Sequence, residues 1–144
     1  MNGEFRIVID EKYREALNGL NGFSHLEVIW WFSGCDNAED RSVLTIEKPY
    51  KKGPDTIGTF ATRSPERPNP IAVSVCSVKA IDYDKGIISL DYFDAFTGTP
   101  ILDIKPYSPS ADRVMEAKVP EWCAHWPGSY EESGDFNWEK EFNF

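Results

Sequence analysis

"SHLEVIWWF", residues 24–32, carries the fold. Val28, Ile29, Trp30, Trp31 and Phe32 run together without a polar break. β-branched and aromatic side chains favour extended backbone, and a strand this apolar reads as a central one. "IAVSVCSVKAIDYD" (71–84) is a second long strand, placing Ile71, Val73 and Val75 on one face and continuing toward Val78. The turn-forming "DYDKG" then leads into "IISLDYFDAF" (87–96), a hairpin pattern. "FRIVID" (5–10) is a short strand with Phe5, Ile7 and Ile9 on one face, and "SVLTIE" (42–47) and "TIGTFAT" (56–62) read as further strands.

Between these lie "EKYREALNGLNG" (11–22), one or two helical turns with a stripe of Tyr13, Ala16, Leu17 and Leu20 that Gly19 and Gly22 stop. "SGCDNAEDR" and "KPYKKGPD" are polar or turn-rich connectors. Pro100, Pro106 and Pro109 limit regular structure after residue 97, and Pro120 suits the first position of a short helix. The sequence therefore predicts a mainly β chain, a single-domain antiparallel β-barrel with a few short helices. Residues 1–115 would form the barrel and 116–144 an acidic, aromatic-containing extension packing on the barrel or on a partner subunit. Trp122, Trp126 and Trp138 of that extension, if exposed, would suit a docked protein partner.

At 144 residues, with 41% hydrophobic and 14% aromatic content, the chain suits one domain with a substantial core. It shows no signal-peptide pattern and no apolar run near the roughly 18 residues of a membrane span, so a cytoplasmic location without membrane association is expected. Cys35, Cys76 and Cys123 are odd in number and far apart, which predicts inert thiols rather than a disulfide framework. His25 and His125 share no ligand spacing with each other or with any cysteine, so no metal site is expected. Phosphate-loop, dinucleotide and hydrolase signatures are missing from the sequence.

The net charge of −9 is uneven: residues 116–144 hold seven acidic and two basic residues, whereas 48–67 carry a net of +3. A broad phosphate-gripping surface is thereby disfavoured, and a local basic edge suited to a small anionic ligand is not. Within that edge lies "TFATRSPERPNP" (59–70), with Arg63, Arg67 and three prolines in twelve residues. A proline-fixed backbone loses little entropy when it orders against a ligand, and a guanidinium offers a planar fork for a carboxylate or phosphate. The alternative is a rigid turn whose arginines pair with the chain's own carboxylates. Three weaker candidates are the strand end Asp91 to Asp94, the alternating Asp103 and Lys105, and His25 in "FSH". Each has a structural alternative: a solvated strand end, an ion pair, a hydrogen-bonded core histidine. No general base stands out; Asp103 is the nearest, and its pairing with Lys105 is equally open.

"GLNGFSHLEVIWWF", "GTFATRSPERPNPIAVSV" and "GTPILDIKPYSP", in that order, closely resemble the TsaA-like, or TrmO, family over about residues 13–113. The resemblance implies an S-adenosylmethionine-dependent methyltransferase on a small β-barrel, forming homodimers with the cofactor near the subunit interface. The family activity is methylation of the amino nitrogen of threonylcarbamoyl-adenosine in tRNA. Carried over by position, it assigns cofactor contacts to Arg63, Val73, Asp91, Tyr92, Phe93 and Asp94. Ser33 and Gly34 stand where the family has a His-Gln pair. Arg67, Asn69, Lys105, Lys51 and Lys52 would be left for substrate, although the acidic net charge weighs against tRNA. The chain is expected to be a short form without the family's N-terminal Pro- and Gly-rich lid or the C-terminal domain of the longer enzymes. A non-catalytic module that binds S-adenosylmethionine or senses a metabolite is the alternative function.

Overall fold

The computed structural model describes residues 4–143. The chain is mainly β with short helices, and it divides into two compact units. One comprises the residues through Ser33 with Ile71–Arg113, and the other Gly34–Pro70 with the residues from Val114 onward.

The first unit is built on an antiparallel sheet of five strands: β1 (Phe5–Val8), β2 (His25–Trp31), β5 (Ile71–Asp82), β6 (Ile87–Leu90) and β7 (Ile101–Pro106). Their spatial order is β1-β6-β5-β2-β7. As its apolar sequence predicts, β2 is internal, pairing with β5 on one side and β7 on the other. Its residues alternate in burial: Leu26, Val28 and Trp30 are buried, while His25, Glu27, Ile29 and Trp31 lie half-exposed on the other face. Leu26 and Val28 join Ile7, Leu17, Cys76, Ile88 and Leu90 in the core. Each such aliphatic side chain contributes about 1.5–3 kcal/mol on burial.

Register decides which face of β5 is inside. Val75, Val73 and Ile71 stand opposite Glu27, Ile29 and Trp31, so they share the outer face, and Val73 is 50% exposed. The face directed inward carries the smaller Ala72, Ser74 and Cys76, making room for the Trp30 indole. Trp30 packs 4.3 Å from Phe32 and 5.7 Å from Phe93. Its Nε1–H donates to Ser74 Oγ at 2.9 Å, and Ser74 Oγ donates to Asp94 Oδ1 at 3.1 Å. β7 forms despite the prolines around it, because Pro106 falls at its end. The turn residues Glu11–Leu17 form a 3₁₀ helix that buries Leu17 and leaves Tyr13 outside; Gly19 and Gly22 end the segment at φ 87° and 98°. Among the described residues the sheet ends at β1 and β7, with no pairing between these two strands.

The second unit holds the hairpin of β3 (Thr45–Glu47) and β4 (Thr56–Gly58), the one-turn helices α1 (Ala38–Arg41) and α2 (Tyr130–Ser133), and an aromatic cluster. Tyr50 stacks on Trp122 at 4.9 Å and meets Trp126 and Phe142 at 5.5 Å each, while Trp138 stacks on Phe142 at 5.8 Å. The tryptophans of the acidic extension thus pack on one another and on residues 50 and 142, half-buried, rather than standing out for a partner. Gly53 is buried against this cluster, and a Cβ there would lie 3.1 Å from that of Tyr50, tighter than ordinary van der Waals contact. Glu141 is 6% exposed, with His125 Nε2 at 2.8 Å and the Trp126 indole N–H donating to it at 3.3 Å. Burial alone would raise its carboxyl, but the hydrogen bonds from His125 and Trp126 and the nearby positive charges outweigh this and hold it below the ordinary 4.5.

Replacing Ser74 by Ala leaves a buried indole N–H without its acceptor. The variant is expected to lose about 1–3 kcal/mol, read as a lower midpoint in urea denaturation followed by tryptophan fluorescence.

Candidate functional site

Proline removes the backbone N–H, so the 59–70 segment is short of donors for its own carbonyls. Buried or half-buried carbonyls need partners all the same. A 3₁₀ turn, Thr59–Ala61, starts the segment; the buried Thr62 hydroxyl donates back to Thr59 O at 2.8 Å and accepts from Ser64 N–H at 3.2 Å. Arg67 then folds onto the loop. Its guanidinium donates to the carbonyls of Thr62 and Ser64 at 3.0 Å each and of Thr59 at 3.2 Å. From the other side Arg41, at the end of α1, donates through Nε to Pro68 O at 2.8 Å and through Nη2 to Asn69 Oδ1 at 3.2 Å, with Asp36 at 2.9 Å from Nη1.

Arg63 is different. It is exposed, and among the described residues nothing lies within hydrogen-bonding or ion-pairing distance of its guanidinium. It lines a concavity of about 640 Å³, within the range of small-ligand sites, together with Tyr50, Pro65, Phe142, Glu47 and Glu66. The two glutamates likewise have no ionic partner among the described residues. Lys48, on the same wall, is engaged: its Nζ donates to Gly53 O at 2.8 Å and stands 3.5 Å from Asp55. The second unit therefore presents an aromatic-walled cavity with one unengaged cation and two unengaged carboxylates.

The other residues singled out from sequence fall as follows. Arg67 and Asn69 are bound within the loop and brace it. Lys51 donates to Glu139 O at 3.3 Å, and Lys52 is exposed. Gly34 lies in the second unit, and Ser33 ends the first; both are exposed in the 3₁₀ turn Ser33–Cys35. In the first unit Val73 is exposed, Phe93 turns into the core, and Tyr92 packs edge-on against Phe5 at 5.3 Å. Asp91 and Asp94 are exposed, Asp94 oriented by Ser74. Lys105 pairs with Asp103 at 3.1 Å. That hydrogen bond, with another from Ile104 N–H, lowers the Asp103 carboxyl below its ordinary range, which makes it a weaker base. His25 Nδ1 lies 2.7 Å from Ser24 Oγ. Burial, with the Asp94 charge, pushes the Cys76 thiol up to about 12, leaving it unreactive.

Residues 1–113 match the family model of the tRNA-methyltransferase O N-terminal domain. The chain belongs to this family. It is 36% identical over 120 residues to the tRNA (adenine(37)-N6)-methyltransferase of Escherichia coli, covering 82% of this chain and 50% of that one. An S-adenosyl-L-methionine-binding protein of Archaeoglobus fulgidus is 34% identical over 110 residues, 76% of this chain and 73% of its own. A crystal structure of TrmO superposes with a TM-score of 0.63 at 31% identity, over 81% of this chain and 49% of that one. The chain thus spans about half the length of the tRNA-methyltransferase relative and of the TrmO structure.

Sequence reasoning found the family's proline-arginine segment but missed Arg41 and Phe142. Arg41 gave no signal, being one basic residue in a polar connector. Phe142 sits in the acidic tail, where only its aromatic character marked it.

The division of labour between the two motif arginines is measurable. Arg67→Ala should lower stability by about 1–3 kcal/mol by leaving the Thr62 and Ser64 carbonyls without their donor, whereas Arg63→Ala should stay within about 0.5 kcal/mol of wild type. Thermal unfolding of the two variants side by side distinguishes them.

Proposed function

We propose that the chain is an S-adenosylmethionine-dependent methyltransferase acting on the amino nitrogen of a modified adenosine in tRNA. One observation carries the reading: the family motif presents an unengaged Arg63 on a cavity that also holds unengaged Glu47 and Glu66. S-adenosylmethionine has a carboxylate to meet a guanidinium and an ammonium and a sulfonium to meet carboxylates, so this donor set fits it. The naming of relatives as methyltransferases and as S-adenosyl-L-methionine-binding proteins supports the same cofactor.

When bound, the cofactor supplies an activated methyl group on a sulfonium. The chain's part is orientation: Arg63 on a braced loop fixes the carboxylate end, and donor and acceptor are aligned at little entropic cost. Val73, Asp91, Tyr92, Asp94, Ser33 and Gly34 are cofactor-contact candidates by family position alone. Phe93 would support them from the core. The accessible lysines Lys51 and Lys52 are the remaining candidates for tRNA phosphates, and Lys105 would have to leave Asp103 to join them.

The dimeric state expected from the family is part of this proposal, supported by the apolar outer face of β5, where Ile71 is 44% and Val73 50% exposed. So is the barrel, for which the β1 and β7 edges would have to approach. No helix among the described residues is long and apolar enough to cross a membrane; a cytoplasmic setting, where tRNA is modified, accords with the reading. The non-catalytic alternative is not favoured, because the family match extends to a relative named as a tRNA methyltransferase.

Calorimetric titration with S-adenosylmethionine is expected to give micromolar binding by the wild-type protein and a loss of at least about tenfold, or 1.4 kcal/mol, in Arg63→Ala. No binding by the wild-type protein would overturn the reading.

A further inference from the structure

Asn69 is fixed in backbone and in side chain. It sits between Pro68 and Pro70, and a residue that precedes proline is kept out of helical backbone. Pro70 is buried, so the chain is anchored directly after it. The side chain is held from outside the proline-arginine segment. Arg41, the last residue of α1, donates through Nε to Pro68 O at 2.8 Å and through Nη2 to Asn69 Oδ1 at 3.2 Å. Asp36 accepts from its Nη1 at 2.9 Å and so aims the guanidinium. A guanidinium is a donor only, so the amide that faces it turns its oxygen inward and its NH2 outward. Asn69 is exposed, and among the described residues no hydrogen bond engages that NH2.

A donor presented in one fixed direction suits an acceptor atom on a ligand, because little side-chain entropy is left to lose. Asn69 is not among the residues that line the Arg63 concavity, so its amide serves a different group from the one at Arg63. Side-chain amides contact phosphate oxygens of nucleic acids, and the positive charge of Arg41 directly behind Asn69 favours an anionic oxygen in front of it. We propose that Asn69 donates through Nδ2 to a backbone phosphate oxygen of the substrate tRNA, and that Arg41 is its positioning residue. This rests on the tRNA-methyltransferase reading above. It adds to that reading a substrate contact and a residue, outside the proline-arginine segment, that sets its direction. Arg41 acts on the RNA only through Asn69.

The test measures methyl transfer from S-adenosylmethionine to unfractionated tRNA that lacks the N6-methyl group, with kcat and the KM for tRNA read separately. Calorimetry gives the S-adenosylmethionine affinity of each variant, and thermal unfolding gives its stability. Asn69→Asp keeps an acceptor for Arg41 and replaces the outward NH2 by a charged oxygen, so its melting temperature should not fall. Its KM for tRNA should rise about tenfold or more, while S-adenosylmethionine affinity stays within about twofold of wild type. A merely structural Asn69 would not move KM at unchanged stability. Arg41→Ala should raise KM in the wild-type background and add nothing further to Asn69→Ala, as expected of two residues acting as a unit. An unchanged KM in Asn69→Asp would overturn the contact and leave the cofactor reading standing. Equal effects of Arg41→Ala in both backgrounds would overturn its positioning role. If the wild-type protein binds S-adenosylmethionine yet methylates no tRNA, the acceptor reading falls and takes this inference with it.

Discussion

Three prolines between residues 65 and 70 take away backbone donors without taking away acceptors. The carbonyls of Thr62, Ser64 and Pro68 need donors from elsewhere, and two guanidiniums provide them: Arg67 for the first two, with a further bond to Thr59 O, and Arg41 for the last. A guanidinium is suited to the task because its planar fork reaches several acceptors at once and its charge strengthens each bond. Rigidity of the loop and the freedom of Arg63 have this common origin. Because Arg67 and Arg41 satisfy the backbone, Arg63 has no internal acceptor to answer to and stands on the cavity wall.

The five-stranded sheet applies the same economy of partners to Asp94. Small inward residues on β5 admit the Trp30 indole, whose N–H finds Ser74, and Ser74 passes the second bond to Asp94. A buried polar group left unmatched costs more than a typical hydrogen bond contributes, so Trp30, Ser74 and Asp94 are tied together. The core tryptophan is thereby linked through Ser74 to a carboxylate in the loop that follows β6.

Much of this was legible in the sequence. The unbroken apolar run at 28–32 marks an internal strand because a strand with no polar side has to be flanked. The face of β5 was harder. Alternation identifies Ile71, Val73 and Val75 as sharing a side but does not say which side is inside; the pairing with Glu27 and the size of Trp30 decide that, and both are tertiary facts. β7 was obscured by prolines that fall around or at the end of the strand and not within it. At the site, Arg63 and Arg67 look alike in sequence, yet one braces and the other is unengaged, since only the three-dimensional position of the loop carbonyls tells them apart. Phe142 was invisible as a site residue because Tyr50, with which it forms a bridge, is more than ninety positions away.

Preorganisation of the arginine loop can be observed through its amides. Thr62, Ser64 and Glu66 N–H groups are bonded within the loop, to Thr59 O, Thr62 Oγ1 and Ser64 Oγ. Hydrogen–deuterium exchange at these three positions, measured in the free protein and again with saturating S-adenosylmethionine, reports whether the loop is already built. The expected result is slow exchange in the free protein, little changed by the ligand. Exchange at unstructured-chain rates in the free protein, slowed only when the ligand is added, would contradict it, and would mean that the ligand and not the arginine bracing orders the loop.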